Sequence, residues 1–334
     1  MEYSIDEKIC IAMSRTEDVK YRNKLRDTMN LDLVDDKAEL ESFIRNCTEQ
    51  GIVIVTMKSE RYPKSLLNLE APPIVLYCKG NLGLLEKPAV AIVGTRDCTR
   101  YGQDVATRFA KEFAGRGLVV VSGLADGIDA AAHLGAGIEN TIGVLGNGLN
   151  VFYPKGNTKL QKDMFQKGLV ISEYLPNTPV ARYNFPWRNR IVAGLSQALL
   201  IVEADIKSGT MITKDWALDL GLDVYSVPGP IYSTASRGTN HMIKEGGLIA
   251  TSPDDVLATF GAFEKSKEAE ATYIQLSFEE KMVIDMLRRG EQHFDDIVTE
   301  LNLKPSKCVT LLTNMEIRGL IDKLPGNFFA FNQQ

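Results

Sequence analysis

Arg188 and Arg190, with Trp187 beside them and Asn189 between them, form the densest group of chemically capable side chains in the sequence. Each guanidinium is a planar fork that can hold a phosphate through two hydrogen bonds. The indole of Trp187 can stack on a base or fill core space. After the apolar run 198–202 come Lys207, Ser208, Gly209 and Thr210. A strand that stops at such small residues and restarts as a helix leaves backbone N–H groups free at the helix start. Those groups, with Lys207 beside them, suit a phosphate. The chemistry on offer is the holding of a polyanion that carries flat rings, rather than the breaking of a bond.

Other small-residue turns could extend such a site. Gly94, Thr95 and Arg96 follow an apolar run without the G-x-G-x-x-G spacing, so a dinucleotide site is not supported. The turn either holds a phosphate by its N–H groups and Arg96 or is simply tight, with a solvated arginine. Ser122 and Gly123 open a second loop of this kind, in which Asp126 and Asp129 suit a helix start. His133, on an alanine-rich stretch, reads as a packed histidine. In the loop after Gly146-Asn-Gly148, Lys155 either meets phosphate or is solvated. Arg237 and Lys244 flank a further glycine-containing turn that either prolongs a basic path or is structural. Glu173 and Glu203 are carboxylates without a clear nucleophile nearby, which is weak support for acid–base chemistry.

The elements that must position these groups are legible as short apolar runs alternating with helical stretches from residue 89 to 227. Continuous apolar strands separated by helices predict a doubly wound parallel sheet covered on both faces, an α/β fold of Rossmann type. Ligands of such sheets bind beyond the carboxyl ends of the strands, where the small residues above lie. Residues 1–75 read as a small helical domain and 76–260 as the sheet domain. Residues 261–274 are charged and small, which suits a linker. Residues 275–334 read as three helices and a hairpin, the pattern of a winged helix.

With 334 residues and 44% hydrophobic content, the chain is long enough for two or three domains and at least one large core. The net charge of -5 argues against a uniformly basic coat. The acidic residues, however, gather toward the ends, and 182–214 is locally basic. The five cysteines are scattered without zinc or redox spacing, which suits a reducing cytoplasm. The polar N-terminus predicts no signal peptide, and no apolar run approaches the ~18 residues of a membrane helix.

Taken in order, Val90-Ala-Ile-Val-Gly-Thr-Arg96, Ser122-Gly-Leu-Ala125, Gly127-Ile-Asp-Ala-Ala-Ala-His133, Thr141-Ile-Gly-Val-Leu-Gly146, Tyr153-Pro154, Ser172-Glu173, Phe185-Pro-Trp-Arg-Asn-Arg-Ile191, Ser208-Gly-Thr210 and Val227-Pro-Gly229 resemble the DprA/Smf family, the DNA-processing proteins of natural transformation. Tyr62-Pro63 and the stretch 73–80 fit as well. The likeness spans roughly residues 60–250. It implies an extended Rossmann domain that binds single-stranded DNA, forms a homodimer and helps load the RecA recombinase, beside a small helical N-terminal domain and a C-terminal winged helix. By the same likeness Arg96 takes the place of a DNA-contacting arginine, Arg188 and Arg190 sit in a basic fork, and Lys207 precedes the Ser-Gly turn. Asp126 departs from the family, whose members often carry arginine there.

The resulting expectation is a non-enzymatic, cytoplasmic single-stranded-DNA-binding protein with no cofactor and no metal, its groove lined by Arg96, Arg188, Arg190 and Lys207. One rival is a nucleoside-phosphate hydrolase of the lysine-decarboxylase-like Rossmann group. Against it, Lys207-Ser208 replaces the paired glycines, and Thr213-Lys214 stands where acid is wanted. The other rival is a duplex-DNA regulator built on the winged helix, for which Lys304, Lys307 and Arg318 are a thin basic set.

Overall fold

The chain divides into two compact units, Met1–Lys265 and Ser266–Gln334. The computed structural model describes residues 3–261, 277–288, 290–301 and 303–331. Most of the predicted linker 261–274 lies outside the described residues.

The first unit opens with three helices, α1 (Ile5–Ser14), α2 (Val19–Thr28) and α3 (Lys37–Glu49), followed by strands β1 (Val53–Thr56) and β2 (Val75–Gly80). Capping side chains set the helix starts: Ser4 and Glu7 form a capping box on α1, Asp18 accepts from the amides of Lys20 and Tyr21, and Asp36 accepts from that of Glu39. Next come β3 (Ala89–Val93), α4 (Arg100–Gly115), β4 (Val119–Ser122), α5 (Ile128–Ala136), β5 (Thr141–Val144), α6 (Thr158–Gln166) and β6 (Leu169–Ser172). The chain continues through α7 (Asn184–Gly194), β7 (Ala198–Ile201), α8 (Thr210–Asp219), β8 (Asp223–Ser226), α9 (Arg237–Lys244), β9 (Leu248–Ile249) and α10 (Pro253–Leu257).

The strands form one sheet in the order β1-β2-β6-β5-β4-β3-β7-β8-β9. From β6 to β9 every pairing is parallel, whereas β1–β2 and β2–β6 are antiparallel. The predicted parallel sheet is therefore parallel-dominant, extended at one edge by two antiparallel strands. The central strands are buried throughout because helices cover both faces.

Two expectations about the N-terminal part change. Residues 1–75 are not purely helical, since β1 lies within them and joins the sheet. Nor do these residues keep a core of their own. Ile9, Ile11, Leu25 and Leu40 pack in one cluster with Ile54, Tyr77, Leu145 and Val170 of the sheet and its loops. An amphipathic helix needs a partner for its apolar stripe, and here the sheet supplies it.

The second unit contains α11 (Phe278–Leu287), β10 (Gln292–His293), α12 (Phe294–Leu301), α13 (Pro305–Ile317), β11 (Ile321–Leu324) and β12 (Phe328–Phe331). The strands pair antiparallel in the order β10-β12-β11. Val283, Leu287, Ile297, Leu312, Met315 and Phe329 form its separate core. This is the winged helix that the sequence predicts.

Candidate nucleic-acid interface

Strand order reverses at β3: β4, β5 and β6 lie to one side of it, and β7, β8 and β9 to the other. The crevice at that switch point is the usual ligand site of such sheets, but here the chain fills it. The Glu203 carboxylate, 1% exposed, accepts from the amide of Thr99 (2.8 Å) and from its hydroxyl (2.6 Å), while the amide of Thr95 donates to the Glu203 carbonyl at 2.7 Å. Glu203 thus closes the start of α4.

The small-residue turn before α8 is closed as well. The amide of Thr210 donates to Ser208 Oγ, and the amides of Met211 and Ile212 donate to the carbonyls of Ser208 and Gly209. The expected free N–H cradle at Ser208, Gly209 and Thr210 is largely spent within its own turn. Lys207 remains exposed at its rim.

The open site lies to one side, above the carboxyl ends of β3, β4 and β5. A shallow pocket open to solvent is lined by Arg96, Gly123, Leu124, Ala125, Asp126, Leu145, Gly146, Asn147, Tyr153, Pro154, Phe185 and Arg188. The ring of Phe185 forms part of its lining. Arg96 places its guanidinium carbon 5.7 Å from the ring centre, Arg188 lies at 5.9 Å, and the Tyr153 ring at 5.6 Å. Cations over an aromatic face attract its quadrupole and hold the ring in place. Gly146 is required here, because a Cβ would stand 2.8 Å from Phe185 Cδ1. Asn147 donates its amide to the carbonyls of Gly148 and Val151, whereas its Oδ1 is buried and bonded to no protein group.

The two arginines of α7 do not form a fork. Residues two apart on a helix point away from each other, and both are buried, Arg188 at 5% and Arg190 at 2% exposed. Arg188 turns toward the pocket floor. It donates from Nη1 to the carbonyls of Gly123 (2.7 Å) and Val144, and from Nε to Asn189 Oδ1 at 3.1 Å. Burial pulls its pKa down to about 10, opposed by the Asp129 carboxylate, so it stays charged at neutral pH. Burial pushes the Asp129 carboxyl up, while Arg188 and the amides of Ala125 and Gly123 pull it down. Gly123 is held between the two, and a Cβ there would lie 2.6 Å from Arg188 Nη2 and 2.7 Å from Asp129 Oδ2.

Arg190 turns the other way and meets Glu173 at 2.7 Å, with its guanidinium 4.5 Å from the centre of the Trp187 ring. Burial raises the Glu173 carboxyl and lowers Arg190, each opposed by the other's charge. Trp187, 41% exposed, also packs edge-on against Trp216 at 6.1 Å. The ring that α7 contributes to the pocket is therefore Phe185, not Trp187. Its place one helical turn before Arg188 is the signal that a helical reading of 184–194 supplies, and Pro186 fits that helix because its first turn needs no N–H partner.

The remaining predicted residues separate. Arg96, Gly123 and Arg188 share the pocket, and Lys155 follows its wall residues Tyr153 and Pro154 on an exposed turn. Ser122 is fully buried and donates to the Ile92 carbonyl at 2.6 Å, so it ties β4 to β3 instead of reaching the pocket. Gly94 sits in the tight turn, where a Cβ would lie 2.5 Å from the Ile128 side chain. Lys244 ends α9, between β8 and β9 on the other flank of the sheet.

A parallel-dominant α/β domain with a cation-framed aromatic pocket at its strand ends, accompanied by a winged helix, defines a class of nucleic-acid-processing proteins. Residues 53–261 match the family described as DNA recombination-mediator protein A, and residues 267–327 match the DprA winged helix domain. The chain belongs to this DprA/Smf family. It is 44% identical over 202 residues to DNA processing protein DprA of Streptococcus pneumoniae, covering 60% of this chain and 71% of that one. It is 34% identical over 289 residues to protein Smf of Escherichia coli, covering 82% and 76%. The solved structure of the pneumococcal protein superimposes with a TM-score of 0.66 at 34% identity, covering 77% of this chain and 98% of that one. A structure from Helicobacter pylori, whose title describes the single-stranded DNA binding mode of DNA processing protein A, gives 0.58 at 33% identity, covering 62% and 95%. Among the described residues, no helix is long and apolar enough to cross a membrane.

Proposed function

We propose that this protein binds single-stranded DNA in the Phe185 pocket, protects it, and presents it to a RecA-type recombinase during DNA uptake and recombination. The observation that carries this reading is the ring of Phe185 framed by Arg96, Arg188 and Tyr153 at the strand ends. A flat ring gives a base something to stack on, worth about 1–3 kcal/mol per base. Exposed Arg96 meets the phosphate. The named binding mode of the Helicobacter pylori relative points the same way.

The protein acts by binding rather than by catalysis. Glu203 is engaged by Thr99 and Glu173 by Arg190, so neither carboxylate stands free beside a substrate. A homodimer belongs to the same proposal. Edge strand β9 offers unpaired backbone together with exposed Leu248 and Ile249 to a second copy. Cytoplasmic residence follows from partners of this kind.

The test is a titration of labelled single-stranded and duplex DNA of equal length at two salt concentrations. Single strands are expected to bind more tightly, with log affinity falling by about 0.7 per phosphate contact for each log unit of salt. Equal affinity for duplex, or no salt dependence, overturns the proposal.

A further inference from the structure

Beyond the pocket, aromatic rings and cations continue along one side of α6. Tyr153 forms the pocket wall, and its neighbour Phe152 lies 6.1 Å from Phe165 of α6, ring centre to ring centre. Each of these two half-buried rings carries an ammonium: Lys162 at 5.4 Å from the centre of Phe152, and Lys79, at the end of β2, at 5.0 Å from that of Phe165. On the same helical stretch Lys155, Lys159 and Lys162 are all exposed. Lys159 and Lys162, three residues apart on α6, share one face about one turn or 5 Å apart along the axis, and Lys155 stands on the turn that leads into it.

Among the described residues, no carboxylate forms an ion pair with Lys79, Lys155, Lys159 or Lys162. The acidic group nearest in sequence on this helix is Asp163, which is half-buried. In a chain of net charge -5, a basic row without an ion-pair partner among the described residues is a local excess of positive charge. Lysines over the faces of half-exposed rings combine the two features that track a flexible polyanion with flat bases: charge for the backbone and π-surface for stacking.

We infer that a single strand leaving the Phe185 pocket runs past Tyr153 and Lys155 and along α6, with Phe152 and Phe165 as a second stacking platform and Lys162 and Lys79 on its backbone. This path rests on the pocket being the single-strand site, and it extends that site toward the antiparallel edge of the sheet. It makes site size a property of two platforms: the pocket takes the first nucleotides and the α6 row the following ones.

The experiment compares wild type with Lys79→Glu/Lys162→Glu, and with the neutral Lys79→Gln/Lys162→Gln. The probes are labelled oligothymidylates of about 5 and about 20 nucleotides, within and beyond the usual span of one such groove. The charge reversal is expected to weaken the long probe at least tenfold. Its salt slope should fall by about 1.4, two contacts at about 0.7 each, while affinity for the short probe stays within about twofold; the neutral pair should fall between. If wild type binds both probes and the reversal leaves affinity and slope for the long one unchanged, the α6 path is wrong and the pocket stands. Equal weakening of both probes also overturns a separate second platform. If wild type binds neither probe, the pocket assignment fails and the path with it.

Discussion

Arg96 and Arg188 approach the same ring from different solvation states, and that difference separates their roles. Arg96 is exposed and free to exchange water for a phosphate, whereas Arg188 spends its donors on Gly123, Val144 and Asn189. Arg96→Ala should weaken single-strand binding several-fold, lower the salt slope by about 0.7 and leave the melting temperature near wild type. Arg188→Lys keeps the charge but not the planar fork. It should weaken binding by loosening the Gly123 loop, lower the melting temperature, and leave the slope unchanged; a slope reduced by about 0.7 would put Arg188 on phosphate instead. His133 illustrates a different constraint. Thr141 Oγ1 donates to the Val120 carbonyl, so His133 must donate to it from Nδ1, and its Nε2 is left buried without a partner. Burial first, then Arg188, hold the imidazole neutral with its pKa pulled down to about 3. Because the folded value lies below the unfolded one, this contribution to stability is full above about 6.5 and is lost as pH falls from there toward 3. Urea unfolding at pH 7 and pH 5 should show wild type losing roughly 2 kcal/mol more than His133→Asn between the two; equal losses would remove His133 from the linkage. At this scale the sequence announced which residues carry charge but not where each points. Arg190 and Trp187 read as ligand-facing because their types fit. Only the helical geometry of α7 sends Arg190 to Glu173.

Among the elements, the start of α4 is the most tightly specified. Thr99 caps it, Glu203 holds Thr99, and Gly102 packs against both. Two effects compete at Gly102. Alanine normally stabilises a helix over glycine by about 0.5–1 kcal/mol. Here its Cβ would lie 2.3 Å from Glu203 Oε2, a buried oxygen already committed to the Thr99 amide. Displacing that carboxylate breaks the cap, at about 1–2 kcal/mol, and overpacking adds about 1–3. Gly102→Ala should therefore destabilise the protein by roughly 1–4 kcal/mol, read as a lower urea midpoint at unchanged slope; a higher midpoint would mean that Glu203 can move freely. The strands β3–β8 were legible because buried parallel strands leave continuous apolar runs, and so were α4, α5 and α8, whereas α6 and α7 were not read as helices. Strand β1 was not, since Val53–Thr56 is short and sits directly after a helix. The small-residue turns were legible as turns, yet their ligand capacity was not. Whether an N–H is free depends on Glu203 and Ser208, which the fold brings to those amides.

For the whole molecule, the division into a sheet unit and a winged helix follows from where cores can form. Val90, Ile92, Leu200 and their neighbours close one core, and Val283, Leu312 and Phe329 close another with no residue in common. The winged helix was legible from its helix–helix–helix–hairpin order, which admits few other folds. The N-terminal helices read as an independent domain because sequence pattern reports an apolar stripe but not its partner, and that partner is a sheet assembled from residues far along the chain. The pocket, with Arg96, Gly123, Asn147, Phe185 and Arg188, is drawn entirely from the first unit. A chain ending at Lys265 keeps every residue of that pocket and of the three clusters beneath and around it. A unit that closes its own core can fold by itself, so this truncated protein should melt cooperatively and bind single-stranded DNA within a few-fold of the full chain. Its salt slope should also match, since Arg96 and the α6 lysines are retained. Fluorescence anisotropy on both proteins with one labelled oligothymidylate makes the comparison. A truncated chain that is folded by circular dichroism yet fails to bind would transfer the main DNA-reading surface to the winged helix, where Lys304, Lys307 and Arg318 would become the residues to change.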